Sequence, residues 1–173
     1  MTGAADQDSI VLGFLWVAET HLGAVGGLLV TNHFGRPLEF QCTTPVRPNR
    51  TQEILYGATL KEFLYGELIG TTLSHRLAVK PDVIIVGQQE LIELRRACAI
   101  PIALLSSDDV RELPDSTKLQ IGNQSVQLHP EFADDQNVLE KKCGSISRNA
   151  DLSEPLVRVQ EALQETVKSN AVA

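Results

Sequence analysis

Gly26-Gly-Leu-Leu-Val-Thr-Asn-His-Phe-Gly-Arg-Pro-Leu-Glu-Phe-Gln-Cys-Thr-Thr44 is the stretch whose order decides the fold. An apolar run over residues 28–31 stops at Asn32-His33-Phe34-Gly35, where glycine gives the backbone freedom that a tight turn needs. Beyond Pro37, Leu38, Phe40 and Cys42 alternate with Glu39, Gln41 and Thr43, the period of a strand with one face on a core and the other on solvent or a partner. The two runs therefore pair as an antiparallel hairpin. Upstream, residues 10–18 read Ile-Val-Leu-Gly-Phe-Leu-Trp-Val-Ala, nearly continuous in apolar character, as expected of a central strand covered on both faces.

Downstream, Pro45 and Pro48 end the hairpin, and Asn49 or Thr51 offers a side-chain oxygen to cap a helix. Ile54, Leu55, Ala58, Leu64, Leu68, Ile69, Leu73 and Leu77 recur at spacings of three and four, which predicts one long amphipathic helix. Gly57, Gly66 and Gly70 lie inside it at about 1 kcal/mol each relative to alanine, which points to close backbone approach or a kink. A β-branched strand over 81–87, a short helix over 88–98 and an apolar run over 100–105 then imply a parallel pair with a right-handed crossover. Gly122-Asn123 marks a second hairpin between 118–121 and 124–128. A short helix follows over 135–143. Last comes a helix capped by Ser153, with Leu156, Val159, Leu163 and Val167 as its apolar stripe.

The reading is an α/β fold with a mixed five-stranded sheet. An antiparallel meander leads into a parallel βαβ unit flanked by helices, and a small C-terminal hairpin and helix follow. The organisation it implies is a flexible tail over 1–8, a core over 9–107 and an extension over 108–173 packed on that core. A length of 173 residues, with 43% hydrophobic and 21% charged residues, suits one soluble globular domain. The apolar run 10–18 is too short to span a bilayer, so no membrane association is expected. Cys42, Cys98 and Cys143 are odd in number and far apart, which disfavours a disulfide framework and fits a reducing cytoplasm. The formal charge of −7 repels phosphate backbones, and the one compact basic cluster is Arg47-Pro-Asn-Arg50.

The chemistry-bearing residues are sparse. His21, His33, His75 and His129 show no metal-ligand spacing. The glycines of Gly23-Ala-Val-Gly-Gly27 lead into a strand instead of the helix that a phosphate loop requires. Ser74 beside His75 lacks the strand-to-helix elbow of a serine nucleophile.

The element order over residues 10–105 resembles the ribonuclease H-like superfamily. Gly26-Gly-Leu-Leu-Val with the Gly35 turn and Pro-Leu-Glu-Phe is similar to that family's second and third strands. Arg47-Pro-Asn-Arg-Thr-Gln-Glu53-Ile-Leu is similar to the start of its first helix. The likeness covers about half the chain. It implies a carboxylate cluster holding Mg²⁺ or Mn²⁺ for phosphodiester cleavage. Carried over residue by residue, the first-strand aspartate corresponds to Ala18 or Glu19. The helix glutamate matches Glu53, and the aspartate after the fourth strand falls on the uncharged Gly87 or Gln88. A late carboxylate falls to Asp151 or Glu154.

Two readings of function follow from that set, with a third beside them. With an aspartate missing at Gly87-Gln88 and an acidic surface, the favoured expectation is a non-catalytic, cytoplasmic protein-binding module without a cofactor, for which nucleic acid is an unlikely partner. The alternative is a divalent-metal-dependent nuclease or related phosphoryl-transfer enzyme. It would use Glu19 and Glu53 as metal ligands, with Asp151, Asp82 or Glu90 as a third acid. The third reading is a small-molecule pocket at the strand ends near Gly87 and Ser106.

Overall fold

A computed structural model describes residues 9–172, so the tail expected over 1–8 lies outside the described residues. Strands β1 (Leu12–Thr20) and β2 (Gly23–Thr31) pair antiparallel over their full length, from Leu12 opposite Thr31 to Thr20 opposite Gly23. β3 (Pro37–Cys42) adds antiparallel to β2, with a register shift at Val30 and Thr31 where Pro37 enters without an amide to donate. On the other flank of β1 lie the parallel strands β4 (Val83–Val86) and β5 (Ile102–Leu105). The mixed α/β class and the meander followed by parallel strands are therefore as the sequence predicts.

The C-terminal hairpin differs in one respect. β6 (Lys118–Ile121) and β7 (Gln124–Leu128) join the same sheet through β7 and β5, giving seven strands in the order β3-β2-β1-β4-β5-β7-β6. The cause is burial: Val126 and Leu128 are fully covered opposite Leu105 and Ala103, which a detached hairpin would leave in water.

Side chains alternate between two cores. Phe14, Val25, Leu29, Val83 and Ile85 face one layer, closed by Leu139 of α3 (Asp135–Lys142) and by Leu156, Val159 and Leu163 of α4 (Ser153–Val172). Leu15, Val17, Leu28, Val30, Ile84 and Val86 face the other, closed by Leu64, Ile69 and Leu73. Gly26 and Gly27 sit back to back at the tightest point. A Cβ at Gly26 would lie 2.2 Å from Ile69 Cγ2, and one at Gly27 would lie 3.0 Å from Leu163 Cδ2, so both helical layers rest directly on bare backbone.

The long helix expected over residues 51–77 is broken. Asn49 caps α1 (Arg50–Tyr56) by accepting from the Gln52 amide, Gln52 bonds back to it, and Gly57 ends the helix at φ 51°. α1 buries none of its residues, and Ile54 and Leu55 of the apolar stripe stand in solvent. After a 3₁₀ turn (Gly57–Thr59), Glu62–Gly70 winds as a π-helix and passes into α2 (Thr71–Arg76). The crossover segment Gln89–Arg96 is 3₁₀ throughout, with Leu91, Ile92 and Leu94 buried. The two irregular helices meet at glycines: a Cβ at Gly66 would lie 3.2 Å from the Glu90 carbonyl oxygen, and one at Gly70 would lie 3.1 Å from Leu94 Cδ1. Such close approach displaces regular winding in favour of contact.

Candidate functional site

Three parallel strands end on the same side of the sheet, and a cleft of about 540 Å³ opens beyond them. Trp16, Gly87, Gln88, Glu90, Leu156 and Gln160 are among the residues that line it. This is where open α/β sheets place their ligands, because strand ends and the loops that follow them leave a crevice.

The floor of the cleft is built by register. Leu15 pairs with Val86, so the next residues, Trp16 and Gly87, stand side by side. A Cβ at Gly87 would lie 3.1 Å from Trp16 Cζ3 and 3.3 Å from Leu156 Cδ1. The indole therefore occupies the space into which a side chain at position 87 would project. Gln88 then bonds twice to β1: its Oε1 accepts from Val17 N at 2.8 Å and its Nε2 donates to Val17 O at 2.8 Å. The carboxamide acts as one more rung of the β1–β4 ladder. A carboxylate there would repel the Val17 carbonyl.

Glu19, at the end of β1, accepts a hydrogen bond from the Tyr65 hydroxyl of the π-helix. Burial, the bond to Glu19, and the charges of Glu19 and Glu90 together push the Tyr65 phenol above its ordinary range. Tyr65 is thus a neutral donor between two carboxylates. Glu53 lies on exposed α1, paired with Arg50 at 3.2 Å. Asp151 precedes α4 and accepts from Ser153 N at 2.9 Å and Ser153 Oγ at 2.5 Å, bonds that hold its carboxyl below the usual range. Among the described residues no group of three His, Cys, Asp or Glu side chains is placed to hold a metal ion, so Glu19, Glu53 and Asp151 form none. Asp82 accepts from Val11 N at 2.9 Å and from Lys142 Nζ at 3.0 Å.

Trp16 was not among the residues singled out from sequence. In the middle of an apolar strand it reads as core. The signal that could have found it is the glycine at 87, one residue past a β-branched run, where an emptied position asks what fills it.

No family model matches the chain, and no curated protein matches it significantly. Several solved structures do resemble it in three dimensions. A variant of Ciona intestinalis endonuclease V, in complex with a 23mer DNA containing an inosine followed by a ribo-adenosine, superposes with a TM-score of 0.54 at 9% identity. That match covers 93% of this chain and 86% of that one. Human ENDOV gives 0.53 at 13% identity, covering 95% and 87%. Ciona intestinalis endonuclease V with a 24mer DNA containing the same inosine and ribo-adenosine pair gives 0.51 at 10%, covering 93% and 87%. The topology is ribonuclease H-like.

Two expectations are corrected by these neighbours. The non-catalytic protein-binding module, and nucleic acid as an unlikely partner, were drawn from absent acids and a charge of −7. Solved structures that this chain resembles include endonuclease V, in two cases in complex with DNA. A net charge describes the whole surface and says little about one cleft. Among the described residues no helix is long and apolar enough to cross a membrane.

The fold family implies a divalent-ion pair at the strand ends. The residues present there do not fit one: an indole, a glycine and a carboxamide bonded to backbone stand where hard cations need anionic oxygens.

Proposed function

We propose that this chain works on nucleic acid, holding a strand across the cleft at the carboxyl ends of β1, β4 and β5. The observation that carries this reading is the position of the cleft in a fold whose solved neighbours include endonucleases bound to DNA. The acidic surface shapes how a strand would bind. Few phosphates are neutralised, so contact falls mainly on the bases. Fluorescence anisotropy with labelled single-stranded DNA and RNA, with and without inosine and beside a duplex control, tests the proposal. Saturable binding of single strands is expected, and its absence with every strand overturns the reading.

A second reading, metal-dependent phosphodiester cleavage, draws on one arrangement: Glu19 accepts from the Tyr65 hydroxyl of the π-helix, and the charge of Glu90, which lines the cleft, acts on the same phenol. Magnesium is commonly held by one or two carboxylates together with substrate phosphates. Incubation of the same strands with Mg²⁺ or Mn²⁺ separates the two. Cleavage lost in Glu19→Gln supports this second reading, and intact substrate under conditions of full binding removes it.

A further inference from the structure

We infer that the cleft is a pocket for a single unpaired, uncharged nucleobase, stacked on the Trp16 indole and read by the carboxamides of Gln88 and Gln160. The inference rests on the nucleic-acid reading and names what the site would take. Four observations support it.

First, the floor is aromatic by construction. The bare Gly87 lets the indole settle at 3.1 Å from where a Cβ would stand, against Leu156, so the ring is wedged instead of free to swing. A fixed aromatic plane at the base of a crevice suits a flat heteroaromatic ring. Second, the walls carry the donor and acceptor pairs that read base edges. Gln88 is locked by its two bonds to Val17, and its amide keeps one further hydrogen and one further lone pair. Gln160 of α4 also lines the cleft, and Gln89 is anchored through its Oε1, which accepts from the Arg111 amide at 3.2 Å. Third, the charged residues lining the cleft, Glu90 and Asp109, are both acidic. They disfavour a phosphate inside while leaving a neutral base unopposed. Fourth, a volume of about 540 Å³ falls within the range of small-molecule sites and leaves room for a nucleoside.

Trp16 is the chain's one tryptophan, so its fluorescence reports the floor directly. The full chain is titrated with adenosine, guanosine, inosine, cytidine and uridine, and separately with adenosine 5′-monophosphate. Expected are saturable quenching by at least one nucleoside and binding of the monophosphate weaker than adenosine by several-fold. Gly87→Val, which forces the indole from its seat, should weaken nucleoside binding about tenfold or more. Should that variant fail to fold, as judged by thermal unfolding, Gln160→Leu on the cleft wall carries the same test with an expected loss of about threefold to tenfold. Absence of saturable quenching by any nucleoside overturns the inference, as does unchanged affinity in the folded variants. If strands bind while nucleosides do not quench, the pocket alone is lost. If nucleosides quench while no strand binds, the pocket stands and the nucleic-acid reading falls.

Discussion

At the scale of single residues, the chain spends side chains on tasks usually left to backbone. Gln88 closes the β1–β4 ladder through both ends of its amide, leaving Val17 with neither group unpaired. Gln88→Leu should cost about 2–4 kcal/mol, because a buried donor and acceptor each lose their partner, and urea unfolding would measure it. Gly26→Ala should cost at least about 1–3 kcal/mol, since its methyl would meet Ile69 Cγ2 at 2.2 Å and push the π-helix off the sheet. A thermal scan showing no loss would mean that the helix gives way freely. Gly66 and Gly70 were legible in the sequence as sites of close approach, whereas Gly26 read only as punctuation before a strand. That Gly87 is the counterpart of Trp16 was not legible, because the pairing follows from the register of strands distant in sequence, and no local pattern carries register.

At the scale of elements, strands were read more faithfully than helices. The β-branched and continuous apolar runs survive tertiary context here, but the alternation in β3 does not, since Leu38 and Phe40 stand exposed on the edge strand while Glu39 bonds the Ala78 and Val79 amides. The spacing of three and four across residues 54–77 likewise describes one stripe that the fold divides. Leu64, Ile69 and Leu73 reach the core, but Ile54 and Leu55 do not, since Gly57 turns α1 away before its apolar face can land. The site was equally mixed: the missing carboxylate at Gly87-Gln88 was visible in the sequence, the aromatic floor was not. The 3₁₀ crossover is tied to α3 by a nearly buried ion pair. Arg95 Nε meets Asp135 Oδ2 at 2.8 Å and Nη2 meets Oδ1 at 3.2 Å, while the guanidinium lies 4.0 Å over the Phe132 ring. Removing one partner strands the other's charge away from water. Asp135→Ala should therefore destabilise by roughly 3–5 kcal/mol, whereas replacing the pair together with apolar residues should cost far less. A double-mutant cycle would distinguish the two.

At the scale of the molecule, charge and pH set the working limits. With a formal charge of −7, strand binding should show a shallow salt slope, on the order of one or two phosphates' worth of released counterions. A steep slope in the anisotropy titration would instead assign binding to a basic patch outside the cleft. Acid stability has identifiable sources. Glu39 accepts from the Val79 and Ala78 amides and from Gln41, which lowers its pKa from the ordinary 4.5, and Asp151 is lowered from 3.8 by Ser153. Both groups are depressed in the folded state, so the stability they add is complete above those ordinary values and is lost as pH falls through the lower folded ones. Glu39→Gln should flatten the acid side of a melting-temperature profile by lowering its neutral plateau, with little change at the acid end where the carboxyl is already protonated. The place of β1 bears also on biosynthesis. Its partner β2 leaves the ribosome almost at once, but its other edge waits for a residue 71 positions later. A nascent chain stalled before residue 83 exposes a naked hydrophobic ribbon to water, and translation pauses in that interval should make it a client of holding chaperones.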